Sequence, residues 1–366
     1  MAGSSIGTIF RITTWGETHG KGVGVVIDGV PAGLSLCEDD IQIYLNRRKP
    51  GQSKFVSPRK EGDIVEILSG VFEGKTTGTP ISLVVMNTDQ RSKDYSNIMN
   101  CYRPGHADFT FDAKYGFRDY RGGGRSSARE TIGRVAAGAV AAKILGQLGI
   151  EFTTYAKMIG GISIDEKKFD KEEIPNNPFN MPDADAAKKV ATYAESMMKQ
   201  KNSIGGVVEC KVTGLPVGLG DPVFEKISAN LGKAMLSIGA TKGFEIGDGF
   251  AVANSNGATN NDNFAIDSSG KVIKQTNHSG GTLGGMTDGS ELIFRTAFKP
   301  TPSIAQIQKT VNALGEEIEI EIKGRHDPMV VPRAVVVVEA MAAITILDAL
   351  LLNMTARLDR ICDFYK

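Results

Sequence analysis

The sequence predicts an α+β fold, because short apolar strands and long helices follow one another without the regular rhythm of a doubly wound sheet. Charged residues make up 23% of the 366 residues and hydrophobic residues 41%. This is an ordinary globular composition, and it excludes disorder of the whole chain. Because no linker divides the chain, we expect a single domain over residues 1–366.

In the first third of the chain, apolar runs between turn residues predict four strands, over residues 6–12, 23–27, 64–72 and 81–86. Residues 38–48 predict a helix, because acidic residues come first and basic residues last, as the helix dipole favours. The stretch 87–125 is irregular and rich in Arg, Asp, Tyr and Gly. Loops of that length in a compact protein are usually functional.

The clearest helix is predicted over residues 127–148, which start at a serine pair and are rich in alanine. The remaining patterns predict helices over 183–201, 223–238 and 332–354, and strands over 207–212, 291–298 and 316–322. The last helix is the most hydrophobic segment of the chain. Glu339 and Asp348 within it indicate a buried helix and not a membrane span.

The charge balance excludes two classes of partner. Lys and Arg together number 42, and so do Asp and Glu, so no basic field points to nucleic acid or to a membrane surface. The four cysteines lie far apart and form no CxxC pair, which argues against structural zinc and disulfides. The N-terminus lacks the apolar core of a signal peptide. We therefore expect a cytoplasmic protein without a bound metal.

All four histidines, His19, His106, His278 and His326, lie in loops rich in Gly, Pro or Ser. Imidazole titrates near neutral pH, so each histidine is a candidate for proton transfer. The alternative for each one is a solvated loop side chain. No pair has HxxxH or HExxH spacing, which argues against a zinc site.

An anion-binding motif is indicated by residues 121–131, RGGGRSSARET. Three glycines free the backbone, and a serine pair starts a helix whose first amides lie beside Arg125 and Arg129. The alternative is a plain helix cap at Ser127 with Glu130 as its capping-box partner. The motif lacks the lysine of a P-loop.

Five further loops combine Gly or Pro with charged side chains: RRKPGQ, SIGATKGFEIGDGF, NHSGGTLGGMTDG, KPTPSI and GRHDP. None has the context of a dinucleotide-binding GxGxxG turn. Proline holds a loop in place at low entropic cost. Together the loops predict a site for a multiply charged anion, with arginines in its wall and histidines for protons. The residues by themselves do not specify the reaction.

These segments resemble one family, the chorismate synthases. The similar segments occur in family order from Gly16 to Pro328 and cover nearly the whole chain: GETHG, RRKPGQ, NTDQRSKDY, YRPGHAD, YRGGGRSSARET, SIGATKGFEIGDGF, NHSGGTLGG, KPTPSI and GRHDP. The resemblance implies conversion of 5-enolpyruvylshikimate 3-phosphate to chorismate by 1,4-anti elimination of phosphate, with reduced FMN and no net redox change. The alternatives are a phosphate-lyase that uses no flavin and a protein that only binds flavin or phosphate ligands.

The resemblance also implies site residues. His106 matches a histidine expected to donate a proton toward the reduced flavin, His19 one expected to protonate the departing phosphate, and Asp327 an aspartate thought to relay a proton from flavin N5. The implied flavin contacts are Arg125, Ser126, Ser127, Gly239, Ala240, Gly284, Lys299, Pro300, Thr301, Pro302, Ser303 and Arg325. The implied substrate ligands are Arg48, Lys54, Arg129 and Arg134, and the substrate's phosphate and two carboxylates require several such cations.

The chain departs from the family pattern at four positions: Thr18 stands for Ser, Gly239 for a common Asn, Lys49 for Arg and Met329 for Cys. The family fold is a β-α-β sandwich, two antiparallel sheets around central helices, assembled as a homotetramer. Some relatives reduce their own flavin with NADPH and are longer. This chain has no obvious insertion, so the resemblance implies that an external flavin reductase supplies reduced FMN.

Overall fold

The computed structural model describes residues 3–57, 61–88, 98–121, 123–322 and 327–366. Within these residues lie the helices α1 (Glu38–Arg48), α2 (Asp108–Tyr115), α3 (Thr131–Gln147), α4 (Ala184–Lys199), α5 (Ile227–Leu236), α6 (Gly257–Asn260), α7 (Val331–Asn353) and α8 (Leu358–Phe364). The strands are β1 (Ser5–Ile6), β2 (Arg11–Gly16), β3 (Gly22–Asp28), β4 (Val65–Ile67), β5 (Val71–Phe72), β6 (Lys75–Thr76), β7 (Ile81–Met86), β8 (Glu151–Ile159), β9 (Ile162–Ser163), β10 (Gly206–Thr213), β11 (Thr241–Ile246), β12 (Phe264–Ile266), β13 (Val272–Lys274), β14 (Thr282–Leu283), β15 (Met286–Thr287), β16 (Leu292–Phe298), β17 (Ile307–Val311) and β18 (Glu317–Glu321).

Two five-stranded antiparallel sheets form the frame of the fold. The first has the strand order β1-β2-β3-β7-β4 and the second β11-β16-β10-β8-β9. In β16, Leu292, Phe294, Thr296 and Phe298 are buried, and the alternate residues between them are only partly so. This alternation is expected of a strand that packs against a core on one face.

The two longest helices pack between these sheets and against each other. Helix α3 contacts β2, β3 and β7 of the first sheet, and α7 contacts β8 and β10 of the second. By length and composition α7 could cross a membrane, but most of it is buried inside the protein, as Glu339 and Asp348 within it predicted. The α3–α7 contact matters for function because both helices begin at the same cavity.

Most predicted elements are confirmed, and α1 and β7 have the predicted bounds. The single strand over residues 6–12 is wrong. Gly7 adopts a φ of 94°, and the amides of Thr8, Ile9 and Phe10 donate to the carboxylate of Asp348 in α7 at 2.7–3.0 Å. Because those amides are used by a helix side chain, the chain forms two strands with a loop between them.

Two other differences have local causes, and two further elements were not predicted. The strand over 64–72 divides into β4 and β5 with Gly70 between them at a φ of 83°. Helix α5 begins later than predicted, since Val223 adopts a left-handed φ of 70°. Helix α2 lies inside the stretch predicted to be a loop, and β8 was not predicted.

Gly138 permits the close approach of α3 and α7. An ideal Cβ on Gly138 would lie 2.3 Å from Ala340 Cβ and 2.5 Å from Ala340 Cα. We expect Gly138→Ala to lower the free energy of unfolding by about 1–3 kcal/mol, because the helices must separate. Urea denaturation measures this change.

The matched control for this prediction is Gly146→Ala, in the same helix. No atom lies within 4 Å of its ideal Cβ, so this variant should gain about 0.5–1 kcal/mol from lower backbone entropy in the unfolded chain. Equal stabilisation by both substitutions would show that the α3–α7 contact does not constrain position 138.

Candidate active site

A cavity of about 530 Å³ opens at the N-terminal ends of α3 and α7. Residues from the loops 103–107, 237–240 and 299–303, distant from one another in sequence, also line it. Its volume lies in the range of about 300–1,000 Å³ that is typical of small-molecule sites. Helix N-termini present amide groups without helical partners, so this position favours an anionic ligand.

The cavity wall is strongly cationic, although the whole chain has no net charge. Among the described residues, three acidic side chains line it: Glu61, Glu130 and Asp327. Seven cationic side chains line it as well: Arg48, Arg103, Arg125, Arg129, Arg134, Lys299 and Arg333. Guanidinium groups bind carboxylate and phosphate oxygens with paired hydrogen bonds, so the cavity suits a polyanionic ligand.

Asp63 holds two of these arginines from outside the cavity wall. Its carboxylate pairs with Arg48 and accepts a hydrogen bond from Arg129 Nη1 at 3.0 Å. Asp63 itself has a φ of 48°, which side-chain-bearing residues rarely adopt. Burial would raise the pKa of Asp63, but the charges of Arg48 and Arg129 lower it below its usual value. The buried carboxylate thus keeps both guanidinium groups in place.

Asp327 lies just before α7 and is fixed at both oxygens. Oδ1 accepts from the amide of Ser57 at 2.7 Å, and Oδ2 accepts from Arg333 Nη1 at 2.5 Å. Arg333 Nε in turn donates to the carbonyl of Arg48 at 2.9 Å. Burial lowers the pKa of Arg333, and the charge of Asp327 opposes that shift. These contacts hold Asp327 as a hydrogen-bond acceptor at the cavity wall.

The ring of His106 lines the cavity and is held at two edges. Its Nδ1 lies 2.9 Å from Asp108 Oδ1 and 3.0 Å from Arg103 Nη2. At the Cε1–Nε2 edge, an ideal Cβ on Gly123 would lie 2.9 Å from Cε1. Gly123 also has a φ of 88°, so a glycine is needed here for both the turn and the close approach.

The segment predicted to bind an anion forms two 3-10 turns, Gly124–Ser126 and Ala128–Glu130, which lead into α3. Ser127 Oγ accepts from the amide two residues later at 3.3 Å and caps the second turn. Glu130 does not complete a capping box, because its carboxylate accepts from Thr14 Oγ1 at 2.8 Å. The carboxylate instead ties the start of α3 to the first sheet.

Two arginines of the wall are engaged by the protein itself. Arg125 donates to the carbonyls of Thr14 and Gly16, each at 3.1 Å. Arg134 donates to Ser237 Oγ at 2.6 Å and thereby joins α3 to the loop 237–240. Both contribute positive charge to the cavity, while their hydrogen bonds hold its wall together.

Two loops complete the wall next to His106. Ala240 adopts a left-handed φ of 70°, and its carbonyl accepts from the amide of Lys299 at 2.9 Å. Lys299 Nζ donates to the carbonyl of Gly105 at 2.6 Å. Burial and the charge of a neighbouring lysine lower the pKa of Lys299. Apart from the adjoining residues, no heavy atom lies within 4 Å of an ideal Cβ built on Gly239, so the space beside this glycine is open.

Most residues implied by the resemblance line this one cavity: His106, Asp327, Arg48, Arg125, Ser126, Ser127, Arg129, Arg134, Gly239, Ala240, Lys299, Thr301, Pro302 and Ser303. Pro300 lies between lining residues of the same loop. Arg325 and the neighbouring His326 lie outside the described residues.

Three implied residues are placed elsewhere. Lys54 is exposed, and its Nζ pairs with Glu195 at 2.6 Å. Gly284 lies in the turn between β14 and β15. His19 is buried in the loop between β2 and β3. Burial raises the pKa of Asp119, and hydrogen bonds with Arg121 lower it more. His19 lies close enough to Asp119 for its charge to lower the pKa of the same carboxyl.

Sequence reasoning did not single out Arg103, Arg333 or Asp63. For Arg103 a signal existed, since it precedes the Pro-Gly turn of His106. Arg333 had a signal as well, because it directly follows the proline that starts the last long helix, close after the GRHDP loop of the predicted anion site. Asp63 carries no local signal, because its arginine partners lie 15 and 66 residues away in the chain.

The cationic cavity, with a histidine and a carboxylate in its wall, defines an enzyme site for a polyanionic small molecule. The family described as chorismate synthase matches residues 10–351 of the chain. The chain belongs to the chorismate synthase family.

Known relatives agree over the full length. The chain is 72% identical to a chorismate synthase of Agathobacter rectalis over 366 residues, which is 100% of both chains. It is 53% identical to one of a Synechocystis species, over 95% of this chain and 97% of that one. A crystal structure of chorismate synthase superposes with a TM-score of 0.76 at 31% identity, over 98% of each chain.

The family assignment establishes the reaction. The protein is a lyase of the shikimate pathway that eliminates phosphate from 5-enolpyruvylshikimate 3-phosphate to give chorismate. The substrate carries one phosphate and two carboxylates. The observed excess of guanidinium groups in the cavity is what such a substrate requires.

The depressed pKa of Asp63 predicts how stability depends on pH. A carboxyl whose folded pKa lies below its usual 3.8 stabilises the fold above that value and loses this contribution as the pH falls through the folded pKa. We expect Asp63→Asn to be less stable than wild type at pH 7, since buried Arg48 loses its carboxylate partner and Arg129 keeps only Glu61. Between pH 4 and pH 2, the stability of Asp63→Asn should fall less steeply than that of wild type, because the variant has no carboxyl at this position to protonate.

Urea unfolding at several pH values tests this prediction. The control is Asp359→Asn, whose carboxylate pairs with Arg357 at the exposed C-terminal end and should contribute little, because solvent screens such pairs. A slope in Asp63→Asn as steep as that of wild type would contradict the role assigned to the buried carboxylate.

Proposed function

We propose that the cavity binds reduced FMN together with the substrate, and that its arginines hold the phosphate and carboxylate groups of both. The observation that carries this proposal is the set of unused donors in the wall. Arg48 Nε, Arg129 Nη2 and Thr301 Oγ1 are buried and have no hydrogen-bond partner among the described residues. Buried polar atoms are rarely left unpaired, so these atoms fit a bound polyanion.

When bound, reduced FMN would supply electron density that assists phosphate departure and would take part in removing a C6 hydrogen that is not acidic enough for a side chain. The protein's own part is to bind, to orient and to move protons. The cavity wall supplies fixed positive charge for the departing phosphate, and fixed charges in a desolvated site stabilise a transition state more than mobile ones.

We assign proton transfer to three residues. His106, in the wall, donates a proton toward the cofactor from its ring nitrogen Nε2. Asp327, held by Ser57 and Arg333, accepts a proton at its carboxylate during the elimination. To His19, which does not line this cavity, we assign protonation or holding of the departing phosphate. Its burial next to Thr18, on the loop after β2, supports a fixed position for the imidazole.

The remaining implied residues are proposed as ligands. We propose as cofactor ligands Arg125, Ser126, Ser127, Gly239, Ala240, Gly284, Lys299, Pro300, Thr301, Pro302, Ser303 and Arg325. We propose as substrate ligands Arg48, Lys54, Arg129 and Arg134. Support is strongest for Arg48 and Arg129, whose buried donors are unused, and weakest for Lys54, which pairs with Glu195.

We also propose the family's assembly and setting: a single-domain β-α-β sandwich, a homotetramer, a cytoplasmic location and an external flavin reductase. Exposed apolar side chains of β12 and β13, namely Phe264, Ile266 and Val272, support burial against another subunit.

The proposal predicts an absolute requirement for reduced flavin. Under anaerobic conditions, phosphate should be released from 5-enolpyruvylshikimate 3-phosphate with reduced FMN and not with oxidised FMN or without flavin. Phosphate release is measured colorimetrically, and chorismate by absorbance. Steady turnover without flavin would indicate a flavin-independent lyase, and binding of FMN without any turnover would indicate a binding protein.

The role of His106 predicts a loss of rate. We expect His106→Ala to lower kcat by roughly 10²-fold or more while thermal unfolding stays close to wild type, because a positioned acid or base is removed. The matched histidine variant is His278→Ala. The Nδ1 atom of His278 lies 2.7 Å from Asp248 Oδ2, and His278 is not among the residues that line the cavity. Comparable losses of kcat in both variants would contradict the assignment.

A further inference from the structure

Behind His106 lies a carboxylate to which the proposed mechanism assigns no role. Asp108, the first residue of α2, accepts hydrogen bonds from Arg103 at both oxygens, from Nε and from Nη2, each at 2.8 Å. It also accepts from the amide of Arg103 at 3.1 Å, and its Oδ1 lies 2.9 Å from His106 Nδ1. Asp108 is not among the residues that line the main cavity.

This group is buried and fully engaged. The side chains of Asp108 and Arg103 are each 3% exposed. Arg118 Nε lies 3.8 Å from Asp108 Oδ1, and the Arg118 guanidinium also pairs with Asp112 one turn further along α2. Burial would raise the pKa of Asp108, but hydrogen bonds with Arg103 and His106 hold it well below its usual range. Asp108 is therefore a carboxylate and can only accept.

Two contacts compete to determine which nitrogen of His106 carries the proton. Asp108 Oδ1 and Arg103 Nη2 both approach Nδ1. Arg103 Nη2 directs one hydrogen at Asp108 Oδ1 and has a second that a bare Nδ1 could accept, whereas Asp108 can only accept. A bare Nδ1 would place its lone pair against a carboxylate lone pair at 2.9 Å, which is repulsive. A proton on Nδ1 turns the same contact into a charge-assisted hydrogen bond.

The ring is constrained from two further directions. Gly123 packs against the Cε1–Nε2 edge, where an ideal Cβ would lie 3.1 Å from Nε2. Lys299 Nζ donates to the carbonyl of Gly105, the residue before His106, at 2.6 Å. The ring can therefore neither turn over nor withdraw easily. With Nδ1 occupied by Asp108, Nε2 is the nitrogen left to exchange a proton in the cavity.

We propose that Asp108 is a positioning residue of the active site, which keeps a proton on Nδ1 of His106, so that the doubly protonated ring gives its other proton from Nε2 and is left as the neutral Nδ1–H tautomer. This inference rests on the proposed role of His106, which it deepens. The charges around the imidazole are Asp108 and Arg103 in direct contact, Arg118 through Asp108, and Lys299 on the adjoining loop. A purely structural Asp108–Arg103 pair that fastens α2 would place no demand on the tautomer.

The tautomer can be read directly in the intact protein. With ¹⁵N-labelled histidine, the chemical shifts of Nδ1 and Nε2 distinguish a protonated nitrogen from a bare one, and His106→Gln identifies the signals of this ring. At a pH where the ring is neutral, we expect Nδ1 to carry the proton. A wild-type Nε2–H tautomer would overturn the proposal without any variant of Asp108.

Asp108→Asn then tests the cause. Arg103 still needs an acceptor, so the amide oxygen turns toward Arg103 and the amide NH₂ toward Nδ1, which forces the proton onto Nε2. We expect the ¹⁵N pattern of the neutral ring to reverse. We expect kcat to fall by roughly 10²-fold, with a smaller change in KM, because the amide NH₂ at Nδ1 opposes the doubly protonated ring that donates the proton. The control is Asp112→Asn, in the same helix and also bonded to Arg118, which should leave the tautomer as in wild type.

The two proposals can fail separately. If Asp108→Asn keeps the wild-type tautomer, Asp108 does not position the ring and the inference is wrong. If the tautomer reverses while kcat is unchanged, Asp108 does position the ring, and the assigned role of His106 in the reaction is wrong instead. Reversal together with the loss of kcat supports both.

Discussion

Buried carboxylates fix the cations of the cavity wall before any ligand binds. Asp63, Asp108 and Asp327 each hold one or two of the arginines, through hydrogen bonds to side chains that are largely withdrawn from water. Several arginines around one small space would otherwise repel one another and turn outward. Because their partners lie behind or at the edge of the wall, the guanidinium groups stay in place and their remaining donors are available to anions.

The position of this wall depends on how closely two helices approach. Helices α3 and α7 meet through small residues, with Gly138 against Ala340, and each packs on its own sheet. Their N-terminal ends consequently open into one cavity. The amide groups there, the capped turn at Ser127 and the arginines of both helix starts act on the same volume. A wider helix spacing would separate Arg129 from Arg333 and spread the charge.

The candidate site was partly readable from sequence. Motif resemblance implied that His106, Asp327 and Arg129 belong to one site, although they are distant in the chain, and all three line the cavity. It could not reveal Asp63, since a lone Asp after a glycine carries no pattern. Nor could it distinguish Lys54, which lies at the surface paired with Glu195, from the arginines that line the wall. Local sequence records which residue types are present, whereas pairing depends on which chain segments meet.

Hydrophobic periodicity, helix-end signals and glycine-rich motifs by themselves determined the order of most elements, the burial of α7 and the anionic nature of the ligand. These are properties of near neighbours in the chain, and their physics is local. The tertiary structure decided the rest: the division of the first strand by Asp348, the helix α2 within an apparent loop, and the contact of Asp108 with His106. Those outcomes depend on competition for hydrogen bonds between parts of the chain that meet only after folding.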